Sequence, residues 1–452
     1  MKFPLLSLSL FLPVAAFAAP GLTIYNQDFA VVRDTVPLEL REGTNDIRYD
    51  GATLQLEPDS VVLRDKTGKP LQILEQNYRN DPLTQAYLLS LFEGQTIDFT
   101  VRESEKPDRT ISAKILRSGY GATSGTAEPV VEVDGKIQFG LPGQPQFPSL
   151  GDDTILKPRL EWKIQSAAAS KTEAELGYIT GGLSWQASYN LVSPEKGDTL
   201  DVVGWITMEN RSGRDFGEAR INLMAGDVAK VAPANKMMGE RMMAMAVVAD
   251  AEAVTEKAFD EFHLYTLPRP TSLRDRETKQ VEFLRAGGVK SETVYIFNGA
   301  RDSKISVFRE FRNTKENQLG IPLPKGRMRF YRTNGAQLEF TGESEIEHTP
   351  VDELMKIQTG NAFDLVGERK LTNSIRDEAN HRAVETFEIL LKNRKTEPVT
   401  IRVVEHLRGY ATWKVSENSD PFEKKSSDEI EFCVPVKPGE ERKVVYTATY
   451  TW

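Results

Sequence analysis

Two glycines stand beside a serine in YITGGLSWQASYNL, residues 178–191, a local sequence that can present a nucleophile or bind a phosphate. A hydrolase elbow needs a glycine two residues on either side of its serine, at a turn from a strand into a helix. Gln186 occupies the place of the second glycine, and the residues around Ser184 alternate between apolar and polar types. This period of two predicts a half-buried strand. We therefore predict that Gly181 and Gly182 close a hairpin and that Ser184 faces away from the core.

A methionine-rich segment, NKMMGERMMAM, offers a different chemistry. Soft thioether sulfurs can ligate copper in an exported protein, whereas adaptable methionines also serve packing in a loop or a short helix. The segment contains neither histidine nor cysteine, which favours the packing role. Copper binding stays an alternative, and its candidate ligands are Met237, Met238, Met242, Met243 and Met245.

The histidines form no catalytic constellation in the sequence. His348 follows a run of glutamates in GESEIEHTPVDE, but in a strand Glu345 and Glu347 would face away from its ring. We expect a solvated acidic strand there. His381 has Asp377 four residues earlier, without a metalloprotease helix motif around it. The chain also lacks a phosphate-binding loop and a dinucleotide fingerprint, so we predict no bound cofactor.

Cys433 is the only cysteine, so the chain forms no disulfide within itself. It lies in EIEFCVPV, a strand-like apolar run in which a free thiol packs as a small hydrophobe. A reactive thiol would need a polar setting with a histidine partner. We predict that Cys433 is buried and unreactive.

The N-terminal sequence MKFPLLSLSLFLPVAAFAAPG predicts a secretory signal peptide over residues 1–18. It has one lysine, an apolar run and the small-x-small triplet Ala16-Phe17-Ala18, which place cleavage after Ala18 or Ala19. The run is shorter than the roughly 20 residues that span a bilayer, so a membrane anchor is the weaker alternative. We expect an exported protein, periplasmic or extracellular, without a transmembrane helix in the mature chain.

The net charge of the chain limits the classes of partner that it can bind. The 57 basic and 66 acidic residues give a formal net charge of −9. Nucleic acid and anionic membrane surfaces carry the same sign, so we predict that neither is the main partner.

Turn residues and short alternating runs indicate strands through most of the chain. Hairpins are predicted at Lys66-Thr67-Gly68-Lys69, at Asp134-Gly135 and at Asn334-Gly335, since Asn-Gly and Asp-Gly suit turns with positive φ at both central residues. One helix is predicted in NDPLTQAYLLSLFEG, with Asp81 as its N-cap, Pro82 in its first turn and Gly94 as its stop.

The last residues alternate between apolar and polar types up to the terminal Trp452. That pattern is typical of the closing strand of a sandwich, and also of the final strand of an outer-membrane barrel. Most strands here are short and carry charge, which favours the sandwich.

The predicted fold is all-β, with several β-sandwich or small-barrel domains, an immunoglobulin-like C-terminal sandwich and few short helices. The predicted divisions are a signal peptide (1–18), an N-terminal β domain (19–150) with a small barrel-like module (about 92–140), a central β region (151–375) with a Met/Ala-rich excursion (233–262), and a C-terminal β-sandwich (376–452).

Five segments carry a family resemblance when taken in order: LGYITGGLSWQASYNLV, GWITMENRSGRDFGEARINLMAGDV, FHLYTLPRPTSLRDRETKQVEFL, LGIPLPKGRMRFYR and VPVKPGEERKVVYTATYTW. Together they resemble an uncharacterised secreted bacterial family that shares the domain of unknown function found in the C-terminal half of mucoidy-inhibitor-A-like proteins. The resemblance covers roughly residues 160–452. It implies an all-β, multi-domain exported or envelope protein and supplies no site residues.

These observations favour an exported, non-enzymatic β-rich protein that binds or scaffolds a cell-envelope component, either a protein or a glycan, through loops of its sandwich domains. Two alternatives stay open. One is an exported hydrolase whose residues meet only in the fold, and the other is copper handling by the methionine segment.

Signal-peptide cleavage is directly testable. The exported protein should begin at Ala19 or Pro20, and Ala16→Arg should block processing because the small residue before the cleavage site is lost. Intact-mass measurement of the exported and cytoplasmic fractions reads out both results. Recovery of exported wild-type protein that still begins at Met1 would contradict the prediction.

Overall fold

The computed structural model describes residues 19–452 apart from 81–82, 103–106, 122–127, 149, 151–154, 227, 231–254, 260–261 and 410. The described chain is almost entirely β, with several separate sheets, as the sequence predicts. Within these residues, no helix has both the length and the apolar character needed to cross a bilayer.

The first half of the chain supplies fifteen strands. They are β1 Gly21–Tyr25, β2 Phe29–Leu40, β3 Gly43–Tyr49, β4 Val62–Asp65, β5 Gln72–Arg79, β6 Thr96–Val101, β7 Arg109–Arg117, β8 Val130–Val133, β9 Lys136–Phe139, β10 Gln144–Gln146, β11 Arg159–Ser166, β12 Ser170–Gly181, β13 Leu183–Ser193, β14 Leu200–Asn210 and β15 Phe216–Ala225.

Fifteen more follow, with one helix, α1, placed earlier between β5 and β6. They are β16 Thr255–Phe259, β17 Phe262–Thr266, β18 Thr271–Leu273, β19 Thr278–Val289, β20 Glu292–Phe297, β21 Lys304–Arg312, β22 Gly326–Asn334, β23 Gln337–Ile346, β24 Leu354–Asp377, β25 Arg382–Asn393, β26 Val399–His406, β27 Thr412–Asn418, β28 Phe422–Lys424, β29 Glu429–Val436 and β30 Glu441–Thr451; α1 is Gln85–Leu91, and Pro58–Ser60 and Lys315–Asn317 are short 3₁₀ turns.

Three sheets share one hydrophobic core, which we call the main core. They are an eight-stranded sheet (β16-β17-β15-β1-β2-β12-β4, with β18 on β15), a three-stranded sheet (β3-β11-β5) and a five-stranded central sheet (β19-β14-β13-β22-β23). Pairing crosses the predicted division after residue 150, because β1 runs parallel to β15 and β2 pairs with β12 along its whole length. The N-terminal strands and the central strands therefore form one body.

A small module stands apart with its own core. Its five-stranded antiparallel sheet runs in the order β10-β6-β7-β8-β9, and α1 packs on it through Leu89. The fully buried Phe99 and Ile115 lie at the centre of this core. The module predicted at about 92–140 is thus a separate sheet that extends to Gln146 and recruits the preceding helix.

The C-terminal strands form a nine-stranded sheet in the order β27-β30-β25-β24-β21-β20-β26-β29-β28. The sheet folds over itself, so that Tyr446 on β30 stacks near Phe387 on β25 and also meets Phe432 on β29. This gives the predicted immunoglobulin-like sandwich. It is larger than residues 376–452, because β20, β21 and β24 belong to it. Val444, Tyr446, Ala448 and Tyr450 are the inward-facing side of the closing strand, and all are buried.

A buried polar network joins three strands inside this sandwich. Glu405 on β26 is fully buried and accepts hydrogen bonds from Arg369 on β24, at 2.9 and 3.0 Å, and from the Tyr446 hydroxyl at 2.5 Å. The guanidinium also lies 3.9 Å from the ring centre of Phe387. Burial, then the Glu405 charge, raise the pKa of Tyr446. The carboxylate is thus satisfied by side chains from two other strands, as a buried charge requires.

Strands β21 and β24 belong to both large cores. On β21, Phe311 packs in the main core while Ile305 packs in the C-terminal core. On β24, Ile357 and Leu365 divide in the same way. The two strands are hydrogen-bonded to each other between these ends. The main body and the sandwich are therefore joined by paired strands.

At two of the predicted hairpins the chain instead passes from one sheet into another. Gly181 ends β12, in the eight-stranded sheet, and Gly182 leads into β13, in the central sheet; these two strands do not pair. The turn at Lys66–Lys69 likewise joins β4 and β5, which lie in different sheets. Both predictions were wrong because local turn residues report a change of direction, whereas the pairing partner is set by distant strands.

The Gly182 corner needs glycine for two reasons. Its φ is +77°, and an added Cβ would lie 2.8 Å from the carbonyl oxygen of Arg211 and 2.7 Å from Nε2 of Gln55. The Gly182 carbonyl also accepts a 2.6 Å hydrogen bond from the Arg211 amide. Backbones of two segments meet there at a distance that a side chain would prevent.

The other two hairpins are confirmed. Asp134 and Gly135 are the central residues between β8 and β9, with φ of +48° and +76°. Between β22 and β23 the turn lies one residue later than predicted, because Asn334 pairs with Gln337 and Gly335 takes the first central position. Glycine at that position is typical of the type II′ turn.

The predicted helix is present, but its start differs from the prediction. Thr84 is the N-cap, and its side-chain oxygen accepts a hydrogen bond from the Tyr87 amide at 3.1 Å. The predicted cap, Asp81, and Pro82 lie outside the described residues. Gly94 follows the helix with φ of +81°. Threonine caps a helix by the same hydrogen bond as aspartate, so sequence alone left either residue able to start it.

We predict that Gly182→Ala destabilises the main body by about 2–5 kcal/mol, combining a left-handed backbone with overlap against Arg211. Gly68→Ala is the matched control, because Gly68 has φ of +82° and open space where the Cβ would lie. It should cost only about 1–2 kcal/mol. Urea unfolding measures both, and an equal cost would contradict the role assigned to Gly182.

Candidate functional site

Ser184 lies where the alternation places it. The residues of β13 alternate between buried and more exposed positions, and Ser184 is on the more exposed face. Its strand neighbour across the ladder is Glu209 on β14. The serine is therefore part of a sheet surface, as predicted.

The methionine segment cannot be placed. Met237, Met238, Met242, Met243 and Met245 lie outside the described residues, as does most of the predicted excursion 233–262. Copper binding there stays a prediction. The excursion ends in described strands, since β16 and β17 form an antiparallel pair.

The acidic segment around His348 is held by a lysine. The imidazole Nδ1 of His348 accepts a hydrogen bond from the Lys325 amide at 3.1 Å, and the Lys325 ammonium pairs with Glu347 at 3.0 Å. Glu343, Glu345 and Glu347 are exposed. Across the described part of the chain, no three histidine, cysteine or acidic side chains converge as metal ligands.

Cys433 is exposed, so its predicted burial was wrong. On β29 the inward positions are Ile430, Phe432 and Val434, and Cys433 falls between two of them on the outer face. The apolar composition of the run suggested burial, but its period of two decides which side chains are inside.

A cleft of about 1040 Å³ lies between the central sheet and the C-terminal sandwich. One wall comes from the loop between β13 and β14 and from β22 and β23. The other comes from β20, β21, β24, β26 and the loop before β26. Its lining residues are Ser193, Glu195, Lys196, Gly197, Asp198, Glu292, Thr293, Val294, Tyr295, Val307, Arg309, Phe330, Arg332, Thr341, Thr359, Gly360, Asn361, Lys395, Glu397, Pro398, Val399, Thr400 and Arg402.

Asp198 ties the two walls together. Its Oδ1 accepts hydrogen bonds from the Arg309 guanidinium on β21 at 2.6 Å and from the Thr293 hydroxyl on β20 at 2.7 Å. Its backbone carbonyl also accepts a hydrogen bond from Ser291. Partial burial opposes ionisation, but the hydrogen bonds from Thr293 and Arg309 outweigh it and lower the pKa of Asp198. The carboxylate is therefore ionised at neutral pH.

The opposite wall is organised by a buried asparagine. Asn393 ends β25 fully buried, donates to the carbonyls of Glu397 and Val436 at 2.9 and 3.0 Å, and accepts from the Lys395 amide. The loop it shapes places the Lys395 ammonium 2.8 Å from the Tyr295 hydroxyl and 2.6 Å from the Glu397 carboxylate. Burial lowers the pKa of Lys395, but the hydrogen bonds that its ammonium donates to Glu397 and Tyr295 prevail and raise the pKa overall.

Two further arginines complete the lining. Arg402 on β26 pairs with the nearly buried Glu310 at 3.1 Å, and Glu310 also faces Lys356 at 3.8 Å. Arg332 on β22 donates to the backbone carbonyls of Pro194 and Glu195 at 3.0 and 3.2 Å. Arg332 thus fixes the loop that carries Asp198.

Two ionisable groups of the cleft carry charges at neutral pH. A general acid or base works best with a pKa near the working pH. Here the pKa of Asp198 is lowered and that of Lys395 is raised, so both remain charged at neutral pH. The exposed hydroxyls of Thr341 and Thr400 line the same space, and within the described chain they have no hydrogen-bond partner.

Sequence reasoning missed this cleft because its residues are spread from 193 to 402 and meet only through sheet packing. A weak local signal exists. In MENRSG, FRNTKE and LKNRKT an asparagine stands at the end of a strand, or directly after it, before a polar turn. All three asparagines are fully buried. A polar residue at the end of an alternating strand marks a loop held by side-chain hydrogen bonds. The third of these loops is a wall of the cleft.

Comparison with known proteins adds no family: no family model matches the chain, and a search of curated proteins found no match.

Asp198→Asn should lower the free energy of unfolding at pH 7 by about 1–2 kcal/mol, because two charge-assisted hydrogen bonds weaken at a half-exposed side chain. The pKa of Asp198 is lowered from 3.8, so its stabilisation is complete above that value. The stabilisation is lost as the pH falls through the lowered pKa. Urea unfolding from about pH 3 to pH 7 should therefore show a difference between wild type and variant that shrinks only at the acid end.

Asp59→Asn is the control, because Asp59 is exposed and, in the described chain, makes no ion pair. It should leave stability unchanged. A wild-type to Asp198→Asn difference that grows as the pH falls would contradict the assigned contacts.

Proposed function

We propose that this is an exported, non-enzymatic protein that binds a cell-envelope component in the cleft between its central sheet and its C-terminal sandwich. The observation that carries the proposal is the cleft itself. It is about 1040 Å³ and open, and its charged side chains are held by partners within the fold. Membership of the secreted family that residues 160–452 resemble is part of the same proposal.

The strands and loops that form the cleft support a role in ligand binding. Sites that bind a partner with little rearrangement are preformed on rigid elements. Here one wall rests on strands of the main core, and the other includes β21 and β24, which enter both large cores. The loops at the rim are fixed by Asp198, Arg332 and Asn393. A ligand would thus meet side chains that are already oriented.

Export is supported by sequence rather than by the structure. The predicted signal peptide, residues 1–18, lies outside the described part. The envelope component is therefore part of the proposal and depends on the cleavage test above.

Photo-crosslinking from inside the cleft tests the proposal. Thr341 and Thr400 are exposed and line the cleft, so each is replaced in turn by the photoreactive benzoylphenylalanine. Thr110, exposed on β7 and outside the cleft, is the matched control. After irradiation of intact producing cells, both cleft positions should give an adduct of higher mass and the control should give none. No adduct from either cleft position, or an equal adduct from Thr110, would contradict the proposal.

A further inference from the structure

We infer that the cleft binds an uncharged oligosaccharide, a chain of neutral polyhydroxylated rings. This inference rests on the proposed binding function and specifies its ligand class. It follows from the charge, hydrogen-bonding capacity, apolar surface and size of the cleft.

The charges of the lining nearly cancel. Most are also neutralised within the fold, since Asp198 faces Arg309, Lys395 faces Glu397 and Arg402 faces Glu310. A polyanion or a polycation would have to displace these contacts and would leave a charge unpaired. The cations of the lining are Lys196, Arg309, Arg332, Lys395 and Arg402, and the carboxylates are Glu195, Asp198, Glu292 and Glu397.

The neutral polar groups suit hydroxyl ligands. A side-chain hydroxyl donates one hydrogen bond and accepts others, as a sugar hydroxyl does, so the two can pair in either direction. Thr341 and Thr400 are exposed without internal partners in the described chain, so their hydroxyls are available. The neutral hydrogen-bonding side chains of the lining are Ser193, Thr293, Tyr295, Thr341, Thr359, Asn361 and Thr400.

Most of the apolar lining is covered. Val294, Phe330 and Val399 are all less than 9% exposed, Val307 is half-buried, and only Pro398 among the apolar lining residues is exposed. An apolar ligand therefore has little to bury against, and binding sites for such ligands are mostly apolar.

An extended peptide would need apolar pockets or a free strand edge. Five strands of the cleft wall, β20, β21, β22, β24 and β26, are hydrogen-bonded on both edges. The remaining one, β23, is the edge of its sheet, but its Gly342 lies directly against the Thr359 carbonyl of β24.

The size of the cleft fits several sugar rings. Small-molecule sites hold roughly 300–1,000 Å³, and this cleft is about 1040 Å³. It is also partly open to solvent, so a longer chain can extend out of it.

The test uses the exported protein, residues 19–452, and four defined hexasaccharides. Cellohexaose, maltohexaose and N-acetylglucosamine hexamer are neutral, and hexagalacturonate is the acidic comparison. Saturation-transfer NMR detects contact and calorimetry gives the Kd. We expect at least one neutral hexamer to bind more tightly than hexagalacturonate. Failure of all three neutral hexamers, or preference for hexagalacturonate, overturns the inference.

Two variants test whether the sugar binds in the cleft. Thr341→Val and Thr400→Val each remove one hydroxyl at nearly constant shape, and each should weaken binding of the neutral hexamer about fivefold. Thr110→Val is the matched control and should leave the Kd unchanged. Unchanged affinity in both cleft variants, with thermal unfolding like wild type, overturns the assignment to this cleft. A protein adduct in the crosslinking experiment without hexamer binding would overturn this inference and leave the proposed function standing.

Discussion

The structure depends on two strands that serve two hydrophobic cores at once. Each of β21 and β24 buries large side chains in the main core at one end and in the C-terminal core at the other, where one such side chain contributes roughly 1.5–3 kcal/mol. Because the strands also pair with each other, a hinge between the two bodies would require breaking ladder hydrogen bonds and exposing Phe311 or Ile357. The angle between the walls of the cleft is thereby set by packing.

Packing of the shared strands fixes the walls, and polar contacts then hold the loops at the rim of the cleft. Asp198 reaches from the central sheet to the sandwich, while Asn393 shapes the loop that holds Lys395 against Tyr295. A charged pair at a partly exposed site adds little stability by itself. The larger effect of such a pair is to hold a long side chain in one position. The space between the pairs is lined by hydroxyl groups. Stability thus comes from the cores, and under our proposal the rim selects the ligand.

The sequence predicted correctly those features that depend only on neighbouring residues. Asp134-Gly135 marked a hairpin because both residues adopt positive φ there, and the alternation after Gly182 gave the correct face for Ser184. Gly181-Gly182 was misjudged because a corner between sheets and a hairpin need the same backbone freedom. Cys433 was misjudged because composition outweighed periodicity. The cleft was beyond reach, since Asp198 and Arg309 become neighbours only when two sheets that are distant in sequence pack together.

The central claim is that the cleft has fixed walls. Spin labels on Thr341→Cys in the central sheet and Thr396→Cys in the sandwich loop, with Cys433→Ser to remove the exposed native thiol, report the distance across it by pulsed electron resonance. Shared strands predict one narrow distance distribution, and added ligand should leave its centre in place. Two populations, or one broad distribution that narrows only when ligand is added, would show that the bodies move and would contradict the account.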